Sequence, residues 1–205
     1  MEGLGLEDAK VYYYENFLDE EKAGEIFNNL SSLFEKETMK EIVDDRGNTK
    51  YKLNRKTMVF IDESVDNTVI PKIWGHDVNI LLFPESLLMI KTRLEELLNF
   101  HFNICLANFY DNGKKSIGWH SDNEEKGSTN CIASLSIGAE RAFQFRRTGE
   151  KYVYRSIMLN HGSLLVMAEG CQEHYQHSLP VDKTCTQSRL NLTFRIFDSN
   201  KYINF

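Results

Sequence analysis

The sequence predicts a mainly β protein with flanking helices, and three observations carry that expectation. From residue 103 onward the hydrophobic period is two, and apolar runs return at short, even intervals between Gly- and Asn-bearing turns. Upstream, two stretches follow the three-and-four spacing of amphipathic helices instead. Many short strands within 205 residues suggest a sandwich or jelly roll. The architecture is therefore two N-terminal helices buttressing a double-sheeted β core, in a chain long enough for one well-cored domain.

Each element has its own signal. Residues 19 to 36 predict a helix with Ala23, Ile26, Phe27, Leu30, Leu33 and Phe34 on its buried face and Asp19 as cap. Residues 84 to 99 predict a second, with Pro84 in its first turn and a stripe of Leu87, Ile90, Leu94, Leu97 and Leu98. N-I-C-L-A-N-F-Y, C-I-A-S-L-S-I, R-A-F-Q-F-R, K-Y-V-Y-R, G-S-L-L-V-M and R-L-N-L-T-F-R-I-F read as successive strands. In the last, Leu190, Leu192, Phe194 and Ile196 share one face, and Arg189, Asn191, Thr193 and Arg195 the other. That polar face fits either a solvated outer strand or an inner strand lining an anion pocket, since arginine presents a fork matched to a carboxylate. Asn108 and Tyr110 share one face of the strand that leads into the turn before His120.

Composition narrows the class. With 41% hydrophobic, 26% charged and 12% aromatic residues, the chain is ordinarily globular. No apolar run reaches a membrane span, and M-E-G-L-G-L-E-D lacks the layout of a signal peptide, so a soluble monomer is expected in the cytoplasm or nucleus, with no membrane partner. Cys105, Cys131, Cys171 and Cys185 show no C-x-x-C spacing, which fits free thiols in a reducing compartment and disfavours a cysteine zinc site. A net charge of −6 argues against coating nucleic acid by bulk electrostatics, yet leaves room for a local basic groove.

The chemistry centres on I-G-W-H-S-D-N-E, where His120 and Asp122 stand two positions apart. With six His and eleven Asp in the chain, a chance His-x-Asp has odds of about one in three, so the pair alone decides nothing. Downstream, C-Q-E-H-Y-Q-H-S-L-P offers His174 or His177 as a third ligand. Two neutral imidazoles and one carboxylate on one face of an octahedron form the facial triad of non-haem Fe(II) oxygenases, with sites left open for a 2-oxoacid and dioxygen. A dicarboxylate cosubstrate such as 2-oxoglutarate needs a cation at its far end, and Arg189 and Arg195 follow on a polar strand face.

These segments resemble a known family. N-F-Y-D-N-G-K-K-S-I-G-W-H-S-D-N-E, H-G-S-L-L-V-M, H-Y-Q-H-S-L-P and R-L-N-L-T-F-R are similar to the AlkB family of Fe(II)/2-oxoglutarate dioxygenases, closest to its nucleic-acid-repair branch. F-N-I-C-L-A-N and L-N-R-K-T-M-V-F extend the likeness over roughly residues 54 to 197. The resemblance implies a double-stranded β-helix (jelly roll) over residues 102–198 of a single domain 1–205, with helices and a substrate lid in 1–101. It implies His120, Asp122 and His177 as the catalytic iron ligands, His177 being preferred to His174 for its place in H-S-L-P. Arg189 and Arg195 would bind 2-oxoglutarate, with Asn108, Tyr110 and Asn191 as hydrogen-bonding neighbours. Glu124, Arg55 and Phe60 would meet the substrate.

The implied reaction is oxidative demethylation of 1-methyladenine or 3-methylcytosine in DNA or RNA, with Fe(II), 2-oxoglutarate and O2, releasing formaldehyde, succinate and CO2. The methylated base is cationic and cannot pair, so it leaves the stack more easily, and single strands are the favoured partners. Two features depart from the family pattern. The lid motif has Asn54 before Arg55 and Ile61 after Phe60, where the family has Pro and Gly, and the following I-D-E-S-V-D-N-T-V-I is acidic and poor in aromatics. Trp74 or Trp119 could supply the missing stacking surface, or belong to the core. The competing readings are the same iron chemistry on a protein, lipid or small molecule, and a non-catalytic β-sandwich binding module.

Overall fold

The computed structural model describes residues 2–44, 46–122 and 129–201. Its elements are β1 (Glu2–Gly3), β2 (Val11–Tyr14), α1 (Glu20–Ser31), β3 (Met39–Val43), β4 (Thr49–Ile61), α2 (Ile70–Trp74), β5 (Asn79–Leu82), α3 (Glu85–Leu98) and β6 (Ile104–Tyr110). They continue with β7 (Ile117–His120), β8 (Ile132–Gly138), β9 (Arg141–Arg147), β10 (Arg155–Leu159), β11 (Ser163–Met167), α4 (Cys171–His174), β12 (Tyr175–Leu179) and β13 (Arg189–Arg195). Among the described residues the strands form two sheets. The larger runs β1-β2-β11-β8-β13-β6-β4-β3, with β5 parallel beside β4, and the smaller runs β10-β9-β12-β7.

Strand β13 explains the layering. It lies between β8 and β6, so its period-two pattern must satisfy two different environments. Leu190, Leu192 and Phe194 join Ile26 and Leu30 of α1 and Leu87, Ile90 and Leu94 of α3 in one apolar cluster. Each such side chain, once buried, contributes about 1.5–3 kcal/mol. Phe145, Leu165, Met167, Tyr175 and Leu179 form a second cluster contributed by both sheets. The polar face of β13 looks into the remaining space between the sheets. Mainly β, with helices against the larger sheet, is thus the architecture the pattern predicts.

The helices agree with their sequence signals apart from their ends. Asp19 caps α1 by accepting a hydrogen bond from the Lys22 backbone N–H at 2.8 Å. A short 3-10 turn over Ser32–Phe34 follows α1, and this tighter winding buries Phe34 while leaving Leu33 exposed. In α3 the buried stripe is Leu87, Ile90 and Leu94, with Leu98 packed at its edge, and Leu97 falls outside it and is exposed. No helix among the described residues is long and apolar enough to cross a membrane.

Three strand assignments differ: β7 and β12, which carry the two histidines, lie outside the strands expected from the alternation. Residues before 103 contribute β1 to β5, which the helical patterns there conceal. The strand expected at K-Y-V-Y-R begins only at Arg155, because pairing with β9 starts at Arg155 opposite Phe145; Tyr152 is instead 83% exposed.

The loops after β6 and after β12 are stitched together. The Gly113 N–H donates to the Cys185 carbonyl at 2.9 Å, and the Asp182 N–H donates to the Gly113 carbonyl at 2.8 Å. A Cβ on Gly113 would stand 1.9 Å from the Asp182 carbonyl oxygen. Gly113→Ala is therefore expected to destabilise the fold by about 2–3 kcal/mol, the upper range for overpacking, read as a lowered denaturant midpoint at unchanged m-value. A midpoint equal to that of the parent would show that the two loops can separate at no cost.

Candidate active site

Two adjacent strands of the smaller sheet bring the histidines together. His120 ends β7 and His177 lies in β12, directly opposite each other in the pairing. Asp122 follows two residues after β7, its backbone N–H donating to Gln172 Oε1 at 2.9 Å. His120 Nε2 is 3.6 Å from Asp122 Oδ1, and His177 Nε2 is 3.8 Å from Asp122 Oδ2. One ligand atom from each residue lies within 4.8 Å of the others. His174 sits in α4, outside this group.

The protonation states suit a metal. His120 Nδ1 lies 2.8 Å from the Gly118 carbonyl oxygen, and an Nδ1–H donating there leaves the Nε2 lone pair toward Asp122. Burial, helped by the neighbouring His120 and Arg195 and opposed by Asp122, holds His177 neutral well below its ordinary range. Burial alone would raise the Asp122 carboxyl, but the Arg195 guanidinium beside it, helped by Arg55, holds it ionised, below the usual carboxylate range. Two imidazoles and a carboxylate, converging and partly desolvated, fit a divalent iron.

The polar face of β13 supplies an anion site. Arg189 is buried, donates to Ser136 Oγ at 2.9 Å and lies 5.4 Å from the Tyr110 ring centroid. Its Nε has no hydrogen-bond partner, and no carboxylate among the described residues pairs with it. Burial pushes this guanidinium down to about 10, the mark of a charge out of water and not neutralised. Asn191 donates to Ser134 Oγ and to the Leu135 carbonyl, at 2.9 and 3.0 Å. Arg195 Nη2 reaches Asp122 Oδ2 at 3.5 Å. The two arginines thus occupy different parts of one cavity: Arg189 has the unneutralised charge a carboxylate cosubstrate requires, and Arg195 sits beside the triad.

The cavity, of about 590 Å3, is lined by His120, Asp122, His177, Asn108, Tyr110, Arg189, Asn191 and Arg195 together with Arg55, Trp74 and Trp119. Arg55 Nε donates to Asn108 Oδ1 at 2.7 Å. Lys50, Tyr51 and Lys72 also line it, whereas the acidic stretch after Ile61 does not. Asp62 instead pairs with Lys91 and Asp66 accepts from Ser199.

One expected substrate residue faces elsewhere. Phe60 is 1% exposed, lies in the helix-facing cluster and stacks near Phe83. Parity is the reason: Leu53 and Arg55 point from β4 into the cavity, so Phe60 points to the other side of the sheet. Trp74 is a buried wall of the cavity that packs on Phe197, while half-buried Trp119 has the Arg146 guanidinium over its ring at 4.6 Å. Arg146 is held there by Gln176, at 2.9 and 2.7 Å. Glu124 lies outside the described residues. Gln172 and Phe143, whose ring stacks 5.3 Å from that of His177, support the triad without a motif that sequence reasoning could have used.

Sheet, triad and anion site together describe an oxygenase centre. The chain matches the model of the 2OG-Fe(II) oxygenase superfamily over residues 10–195 and belongs to that superfamily, whose cofactors are Fe(II), 2-oxoglutarate and O2. Its similarity to named relatives lies in the AlkB family. Over 115 residues it is 44% identical to alpha-ketoglutarate-dependent dioxygenase alkB homolog 3 of Mus musculus, covering 52% of this chain and 40% of that protein. Over 114 residues it is 39% identical to DNA oxidative demethylase ALKBH2 of Bos taurus, covering 52% and 41%. The chain thus matches about two fifths of the length of these curated relatives. The solved structure of OsALKBH1 shares the fold, with a TM-score of 0.63 over 90% of this chain and 97% of that one at 20% identity.

Proposed function

We propose that this protein is an Fe(II)/2-oxoglutarate-dependent dioxygenase that removes methyl groups from 1-methyladenine and 3-methylcytosine in DNA or RNA, acting best on single strands. The observation that carries the chemistry is the opening of the His120–Asp122–His177 cluster and the unneutralised Arg189 onto one cavity. His120, Asp122 and His177 would hold the iron, and Arg189 the far carboxylate of 2-oxoglutarate, with Tyr110, Asn108, Asn191 and Arg195 along its length. Bound there, Fe(II) would supply the activation of dioxygen that couples decarboxylation of 2-oxoglutarate to oxidation of the methyl group. The protein's own residues orient the two substrates, exclude bulk water and keep Asp122 ionised.

The choice of nucleic acid draws on the relatives, whose names include a DNA oxidative demethylase, and on the cavity. Despite the net charge of −6, the described lining contributes Lys50, Arg55 and Lys72, a local arrangement that suits phosphates. Trp119 offers an aromatic surface beside His120, and base–aromatic stacking tolerates any sequence. A target base must leave the stack to enter this cavity, which favours strands already unpaired.

The test is incubation with Fe(II), 2-oxoglutarate and oligonucleotides carrying either lesion, as single and double strands of DNA and RNA, followed by mass. Loss of one methylene per lesion, fastest on single strands and absent with His120→Ala, is the expected result. Succinate formed without change in any oligonucleotide would move the substrate to a protein, lipid or small molecule.

A further inference from the structure

The least expected side chain in the molecule is Arg141, the first residue of β9. It is 1% exposed, and no carboxylate among the described residues pairs with it. A buried guanidinium without an ion pair costs desolvation energy, so it persists where its hydrogen bonds have structural work to perform. Here a single nitrogen, Nη2, approaches three backbone carbonyls: Gly113 at 3.3 Å, Lys115 at 3.2 Å and Pro180 at 2.6 Å.

Those carbonyls belong to the two loops that frame the metal site. The Gly113–Lys115 stretch leads into β7 and reaches His120 five residues after Lys115. Pro180 directly follows β12, three residues after His177. The same two loops are stitched by the Gly113–Cys185 and Asp182–Gly113 hydrogen bonds. Between Leu179 opposite Ile117 and His177 opposite His120, the β12–β7 pairing is irregular. Regular ladder hydrogen bonding therefore does not by itself fix the offset of the two strands at the histidines. Arg141 holds the chain just before β7 and just after β12, at the Ile117–Leu179 end of that pairing, across the irregularity from the histidines.

We propose that Arg141 is a positioning residue that locks the entry to β7 against the exit of β12, and thereby sets the separation of His120 and His177 and the affinity of the site for a divalent metal. The proposal rests on reading His120, Asp122 and His177 as the metal ligands. It differs from a merely structural role, in which loss of Arg141 would lower thermal stability and leave metal affinity unchanged in the folded protein.

The experiment titrates the full chain with Mn(II), counting free ion by its EPR signal, well below the melting temperature. Parent, R141M and H120A are compared. Loss of groups that orient ligands lowers metal affinity about 10–100-fold, and R141M is expected to fall in that range while 2-oxoglutarate is absent. R141M that binds Mn(II) as tightly as the parent, whatever its melting temperature, would overturn the proposal. So would unchanged Mn(II) affinity with weakened 2-oxoglutarate binding, which would mean that Arg141 acts through its charge on Arg189. Should R141M fail to fold, R141K decides, because it keeps the buried charge but ends short of the Nη2 position: weaker binding supports the lock and parent-like binding overturns it. A parent protein that binds Mn(II) no better than H120A would overturn the ligand assignment itself, an outcome separable from failure of the lock alone.

Discussion

Asp122→Asn is expected to reduce turnover by about 10³-fold or more, because it removes the one anionic ligand of the proposed iron site. Asparagine preserves the shape of the side chain, and the backbone N–H can still donate to Gln172, so the loss isolates charge from packing. The carboxylate stands 3.5 to 3.8 Å from Arg195 Nη2, His120 Nε2 and His177 Nε2. Without it, two imidazoles and a guanidinium face one another around an uncompensated centre. Metal affinity should fall further than the about 10–100-fold typical of groups behind the ligands. In the metal-free protein the same change removes a charged partner from Arg195, and about 1.5–3 kcal/mol of stability should go with it. Mn(II) titration and denaturant unfolding of the apoprotein read the two effects separately. Parent-like metal affinity would remove Asp122 from the site.

How far such a site could be read before folding depends on where its information is local. Alternation in R-L-N-L-T-F-R placed Arg189, Asn191, Thr193 and Arg195 on one face because parity is a property of the strand alone. The bland alternative, a solvated outer face, fails because β13 is central and all four of those residues are buried. The order His-x-Asp, His, Arg was legible for a related reason: the residue types define the chemistry, whatever their contacts. Phe60 marks the limit of local pattern. Its neighbours on β4 could be assigned to one face or the other only by knowing which face met the helices, and the last five residues of that strand are all buried, so no polar alternation marks the side. The strand at K-Y-V-Y-R failed in the opposite way. Tyr152 and Tyr154 imitate a buried face, yet pairing across β9 and β10 leaves them in the hairpin turn. Arg141 was invisible because its partners are backbone carbonyls, which carry no residue signature.

The charge balance shows the same separation of local from global. The whole chain is acidic and its post-lid stretch more so, which by itself disfavours a polyanionic partner. Folding sends Asp62 to Lys91 and Asp66 to Ser199, and turns Lys50, Arg55 and Lys72 toward the cavity. What a phosphate would meet is set by this distribution and not by the total.

Arg189→Met is the second substitution with a large expected effect, and it should separate function from stability in opposite directions. A carboxylate cosubstrate held by a buried guanidinium loses about 2–4 kcal/mol when the cation is removed, so the apparent 2-oxoglutarate affinity should fall about 30- to 1000-fold. Mn(II) affinity should stay within about threefold of the parent, because none of the groups that Arg189 contacts is a proposed metal ligand. The apoprotein, by contrast, should gain. In it the guanidinium is buried with an unsatisfied Nε and no carboxylate partner among the described residues, and its lowered pKa reports the cost of keeping it charged. Methionine of similar reach removes that cost and forfeits only the hydrogen bond to Ser136 and the contact with Tyr110. Replacing buried charge with apolar volume is often neutral or stabilising by about 1–4 kcal/mol. At the lower end of that range the metal-free melting temperature should rise by about 2–4 °C. Added 2-oxoglutarate should then stabilise the metal-loaded parent and not the variant, since a ligand raises stability only in proportion to its occupancy of the folded state. A variant whose apoprotein melts lower than the parent would show that Arg189 is already compensated in the fold, and its claim to the cosubstrate would fall with that.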